Sequence, residues 1–148
     1  SQHLKCKSGC DMCCMDYRIF PLEFYAIREE LRDKGNRSKI PYNKFLAENA
    51  CIFLVNHKCG IYKHHPIICR THGLPLLFTT EEGEWQLSAC ELNFTRYNFE
   101  DFTFDNTFPQ DKFNSSLFLL NKEFIQQFEE KTYVETDLIP IKELLPQL

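Results

Sequence analysis

The sequence contains no run of 18 or more apolar residues, so it offers no helix able to cross a membrane. It has only five Gly and seven Pro, with no Gly/Ser linker, low-complexity tract or internal repeat. Those absences exclude collagen-like, linker-divided and repeat architectures. Excess charge is also scarce: 17 Lys and Arg against 21 Asp and Glu leave −4, with pI about 5.7. A broad basic face for nucleic acid is not expected. G-x-x-x-x-G-K-[ST], G-x-G-x-x-G, G-x-S-x-G and H-E-x-x-H are all missing. Nucleotide-loop, serine-hydrolase and zincin chemistries therefore lose their main support.

What is present is a 148-residue chain, 43% apolar and 26% charged, sized for a single domain over 1–148. A chain of this length buries roughly two thirds of its unfolded surface and folds without covalent staples. Its eight cysteines therefore call for another reason, and metal binding supplies one. Seven lie between Cys6 and Cys69 and the last is Cys90. The chain thus divides into a cysteine-rich metal-binding region, 6–90, and an aromatic-rich segment with C-terminal helices, 91–148.

Local patterns predict a small α+β fold. Pro21 suits a first helical turn, Phe24, Ile27 and Leu31 follow at helical spacing, and Gly35 suits a stop, so a helix is expected from Pro21 to Lys34. Extended runs at Leu74–Thr80 and Glu84–Ala89 flank Glu81-Glu82-Gly83 and predict a hairpin ending at Cys90. Phe113, Leu117, Leu120, Phe124 and Phe128 predict a helix over Phe113–Lys131, with Gln126, Gln127, Glu129 and Glu130 outside. Pro140 opens a short last helix through Leu145, which Pro146 should stop. Phe94, Phe99, Phe102, Phe104 and Phe108 are expected to pack into a core, a ligand groove being the alternative.

The first cysteine cluster is Cys6-x3-Cys10-x2-Cys13-Cys14. Short spacers let one loop present several sulfurs to one cation, and Gly9 frees the backbone to turn. Cys13 and Cys14 are about 3.8 Å apart at Cα, yet consecutive side chains diverge, so they serve two centres or one lies behind the other. The second cluster is Cys51-x7-Cys59-x9-Cys69, followed by Cys90. Its spacing is too loose for a zinc finger or ribbon. All eight, Cys6, Cys10, Cys13, Cys14, Cys51, Cys59, Cys69 and Cys90, are candidate metal ligands, and spacing leaves their partition open. Lys5, Lys7, Lys58, Lys63 and Arg70 flank them, where positive charge would lower thiol pKa values unless these are ordinary surface charges.

Cys6-x3-Cys10-x2-Cys13-Cys14, then Cys51-Ile-Phe-Leu and Cys59-Gly-Ile-Tyr62-x3-Pro66-x2-Cys69-Arg70, together resemble the YkgJ-like cysteine-cluster family, the CxxCxxCC zinc- or iron-chelating domains, over roughly residues 6 to 90. The family usually has Pro where this chain has Ile52 and Arg where it has His65. The resemblance implies metal binding by Zn2+, iron or a [4Fe–4S] cluster and no established reaction. Some longer relatives are flagellin lysine methylases, which implies an alternative as an iron–sulfur enzyme in methyl-transfer-like modification. C-x3-C-x2-C is also similar to the radical S-adenosylmethionine signature, but the chain is too short for the approximately 200 residues of such a barrel.

His57, His64, His65 and His72 near the second cluster are further possible ligands or surface groups, and Cys69 with His64 or His72 is a conceivable nucleophilic pair. Arg70 is expected to fix its loop through a carbonyl or sulfur, Tyr62 to fill core, and Asp11, Asp16 and Glu23 to serve as turn or helix-start residues. Ser1–Lys5 shows no basic-then-apolar signal pattern before Cys6, so a cytoplasmic protein with reduced thiols is expected. An exported disulfide scaffold is the third reading, since eight thiols permit four bridges. The expected partner is a metal ion; neither nucleic acid nor membrane is expected, and no protein partner can be named.

Overall fold

Helix α1 (Pro21–Asp33) begins where Pro21 presets its first turn, in a computed structural model that describes residues 3–7, 9–33, 40–43 and 49–148. The last expected helical residue, Lys34, and the Gly35 stop lie outside the described residues. The secondary structure mixes helices with small sheets, the expected α+β class. Packing divides the chain into two compact units.

One unit comprises 8–70 and 118–148. Strands β1 (Arg18–Ile19) and β7 (Ile139–Pro140) pair antiparallel, Ile19 opposite Ile139. Strands β2 (Leu54–Val55) and β3 (Lys58–Cys59) form a hairpin, Leu54 opposite Cys59. Its turn residues Asn56 and His57 have φ of 49° and 60°, the left-handed pair that matches the twist of a two-residue hairpin. A 3-10 turn, Tyr62–His64, and the short α2 (Ile67–Thr71) follow. The buried apolar core belongs to this unit: Ile19, Phe24, Tyr25, Ile27, Leu31, Phe53, Ile61, Ile141, Leu144 and Leu148. Phe24, Ile27 and Leu31 face inward as the spacing of α1 requires. Cys51, Cys59 and Cys69 are partly buried against the same cluster.

The other unit comprises 1–7 and 71–117. Its three-stranded sheet has the order β5-β4-β6, with β4 (Leu76–Thr79) antiparallel to β5 (Trp85–Ser88) and parallel to β6 (Phe108–Pro109). The β4–β5 pair is the expected hairpin, with Gly83 at φ 83° in its turn. A 3-10 turn at Phe99–Asp101 is closed by reciprocal Asn98 and Asp101 contacts.

Four expectations need correction. Helix α3 runs over Gln110–Gln127, starting earlier and ending earlier than Phe113–Lys131. Phe128 leaves the helix to pack 4.2 Å from the Tyr25 ring, and Glu130 turns to Arg28, so tertiary contacts end it. Along α3, Phe113 and Leu120 are exposed while Asn121 is fully buried, its Oδ1 accepting the Leu22 N–H at 3.1 Å in the first turn of α1. Pro146 does not stop the last helix, which is a 3-10 segment, Ile141–Gln147, with the proline inside it. Tighter i to i+3 bonding tolerates a residue without an N–H near its end. Finally, Phe99 and Phe104 are 69% and 71% exposed, so the aromatic segment is only partly core.

Candidate metal centre

The loop after Gly9, whose φ of 97° suits glycine, carries Cys10, Cys13 and Cys14. The Cys14 N–H donates to the Asp11 carbonyl at 2.9 Å, closing the turn between Cys10 and Cys14. The Cys51 N–H donates to the Cys14 carbonyl at 3.2 Å, and Met15 bridges Ala50 antiparallel, so the first loop lies along the segment that starts the second cluster. Cys59 ends β3, and Gly60 follows it where a Cβ would stand 2.3 Å from the Pro41 carbonyl oxygen. Cys69 is carried by α2, whose first residue, Ile67, donates its N–H to Glu23 Oε1 at 2.9 Å.

These elements gather sulfur electrostatically. Burial pushes the Cys14 thiol up to about 12, and Cys13, Cys51 and Cys59 add to the shift. Cys69 is likewise pushed to about 12 by burial and then by Cys51, Cys59, Cys14 and Cys13. Burial also raises Cys51, with Cys59 contributing, and raises Cys59 against an opposing Ile61 N–H bond. Tyr17 is driven to about 12 by burial and by Cys13, Cys69 and Cys14. Five thiols, Cys13, Cys14, Cys51, Cys59 and Cys69, thus act on one another within one unit. The shifts are upward, opposite to the lowering expected from flanking Lys and Arg, because desolvation and the neighbouring sulfurs dominate.

All eight cysteines are unbridged. Among the described residues, no three His, Cys, Asp or Glu side chains stand close enough to hold a metal ion as they are. The donor chemistry fits the implied ion nonetheless: soft sulfur ligands select zinc and iron–sulfur centres. Cys10 belongs to the same unit by sequence, whereas Cys6 and Cys90 belong to the other unit.

The remaining expected residues find other partners. His57 Nδ1 lies 2.8 Å from Asp11 Oδ2, and His64 Nδ1 lies 3.7 Å from Glu30 Oε2. His65 Nδ1 contacts the Tyr62 carbonyl, and its ring stacks on Tyr62. Burial lowers the His65 pKa. His72 is half-buried in the unit that holds Cys6 and Cys90. Arg70 donates to the carbonyls of His65 and Lys63 at 2.9 and 3.1 Å, the loop-fixing role expected of it. Tyr62 is 70% exposed and does not fill core, a correction explained by its stacking on His65 at the surface. Asp16 binds Lys142 Nζ at 3.0 Å, and Glu23, raised by burial, caps α2. Sequence reasoning missed the hairpin carrying Cys59, since Asn-His is a weaker turn signal than Asn-Gly. It also missed Tyr17 and Asn93, which no motif marks.

Residues 5–91 match the family described as "CxxCxxCC: Putative zinc- or iron-chelating domain". The match spans more than half of the chain, and the protein belongs to this family of zinc- or iron-chelating domains. No curated protein and no solved structure was found to match it. No helix among the described residues is long and apolar enough to cross a membrane.

Proposed function

We propose that the protein holds a thiolate-bound zinc or iron centre on donors drawn from Cys13, Cys14, Cys51, Cys59 and Cys69, and that coordination completes the folding of the loops that carry them. The observation that carries this reading is that the Cys51 N–H bond to the Cys14 carbonyl and the Met15–Ala50 bridge bring the first cysteine loop onto the second cluster, whose Cys51, Cys59 and Cys69 lie against one core, inside the stretch that matches a chelating family. A divalent cation takes such sulfurs as thiolates and releases their protons, and preformed metal sites are rare before binding. The Tyr17 hydroxyl, pushed up by burial and then by Cys13, Cys69 and Cys14, lies within electrostatic reach of the same sulfurs. Cys10 is an additional donor in the same unit, and Cys6 and Cys90, in the other unit, are metal-ligand candidates by the sequence pattern. The reading places the protein in a reducing compartment, the cytoplasm, where thiols stay available to metal.

Elemental analysis and an absorption spectrum of anaerobically purified protein test it. Zinc in colourless protein is expected for a structural centre, and iron with a broad band near roughly 400 nm for a cluster. Cys14→Ser and Cys69→Ser should each lose metal and several kcal/mol of stability, because binding and folding are coupled. An unchanged Tm after verified metal removal overturns the proposal, and eight blocked thiols after chelation would establish the disulfide scaffold instead.

A further inference from the structure

Outside the five-sulfur group, Asn93 is 4% exposed in the other unit, and every polar atom of its amide is used. Its Nδ2 donates to the Gly73 carbonyl at 2.7 Å and to Cys6 Sγ at 3.3 Å, while its Oδ1 accepts the Lys5 N–H at 2.7 Å. The same Oδ1 lies 3.8 Å from Cys6 Sγ, so the amide meets the sulfur as acceptor as well as donor. Gly73 forms the opposite wall: at φ 89°, a Cβ there would stand 2.8 Å from Cys6 Sγ and 2.9 Å from Asn93 Nδ2. The next residue, Phe94, donates its N–H to the His3 carbonyl at 3.0 Å, and the Asn93 N–H donates to the Cys90 carbonyl at 2.8 Å. The segment from His3 to Cys6 is therefore docked along Asn93-Phe94, yet Cys6 itself stays exposed. A fully bonded, buried amide spent on an exposed sulfur holds that sulfur in place while leaving it open to a ligand.

We propose that Asn93 is the positioning residue for Cys6, presenting its sulfur to a soft metal cation through an N–H···S bond that persists when metal is bound, with Gly73 supplying the space. This rests on the metal-binding reading above. Hydrogen-bond partners behind metal ligands commonly govern affinity by about 10- to 100-fold.

Zinc competition against a chromophoric chelator, with the full chain under reducing anaerobic conditions, tests it. Asn93→Asp keeps an acceptor for Lys5 but gives the sulfur no N–H; Gly73→Ala crowds the sulfur from the other side and carries the test if the first variant does not fold. Each should weaken zinc about 10- to 100-fold. The Cys6→Ser/Asn93→Asp double variant should be no weaker than Cys6→Ser, since residues acting through one interaction are not additive. Wild-type affinity in the single variants, or additive losses in the double, overturns the proposal. With 113Cd2+ in place of zinc, the Asn93 side-chain amide should shift on metal binding in the wild type and not in Cys6→Ser, a signature that a merely structural role would not produce. If the wild type takes up no Zn2+, Fe2+ or Cd2+, the metal reading fails separately. The cradle is then read in metal-free protein by site-resolved alkylation: Asn93→Asp, which removes the N–H and sets a carboxylate beside the sulfur, should slow alkylation of Cys6, and a rate equal to wild type overturns it.

Discussion

His57 Nδ1 stands 2.8 Å from Asp11 Oδ2, tying the turn of the β2–β3 hairpin to the loop between Cys10 and Cys13. The contact spans 46 residues and joins the two cysteine clusters through side chains that carry no sulfur. His57→Ala should leave the fold intact, at a cost under about 1 kcal/mol for so exposed a pair. It should nevertheless speed metal release to a chelator several-fold, because the Cys13 loop loses its tether. Release at the wild-type rate would show that the contact does not position the loop.

Alkaline pH should destabilise the metal-free protein. Cys14 and Cys69 rise from 9.0 to about 12 on folding, chiefly through burial and then through neighbouring thiols. A thiol whose folded pKa is raised supports the fold fully below its unfolded value and withdraws that support as pH climbs through the folded value. The Tm of metal-free protein should thus fall between pH 9 and pH 12, and Cys14→Ser/Cys69→Ser should flatten part of the fall. Metal binding should release protons and strengthen as pH increases. Calorimetry in buffers of different ionisation enthalpy measures that release.

Acid should act at a different place. The Arg28 guanidinium, packed 4.3 Å over the Tyr25 ring, binds both Glu130 oxygens at 2.7 Å and holds that carboxyl below its ordinary value. A depressed folded pKa gives stability present above the unfolded value and lost as pH falls through the folded one. Glu130→Gln should lower Tm by a few degrees at neutral pH and reduce the acid sensitivity of the wild type. Parallel Tm profiles for the two proteins below pH 5 would contradict this assignment.

Asn121 should matter to α1 more than its place on α3 suggests. Its Oδ1 satisfies one of the otherwise unpaired N–H groups in the first turn of α1, while its buried Nδ2 has no partner among the described residues. Asn121→Ala should cost about 1–2 kcal/mol, the loss of a helix cap, measured by chemical denaturation. A stability gain would mean that relief of the unpaired Nδ2 outweighs the cap.

By itself the sequence determined what short-range rules govern. Pro21 with Phe24, Ile27 and Leu31 specified α1, Gly83 between extended runs specified the β4–β5 hairpin, and the cysteine pattern within residues 5–91 specified the zinc- or iron-chelating family. These follow from backbone preference and side-chain period within a few residues. Only the tertiary structure decided which cysteines share a unit, because Cys13 and Cys69 are 56 positions apart and are brought into it through a bridge, a hairpin and a short helix whose spacing leaves no local imprint. It also decided that Asn93 serves Cys6 and that Asn121 caps α1, since a buried amide is recruited by whichever unpaired group the folded chain brings to it.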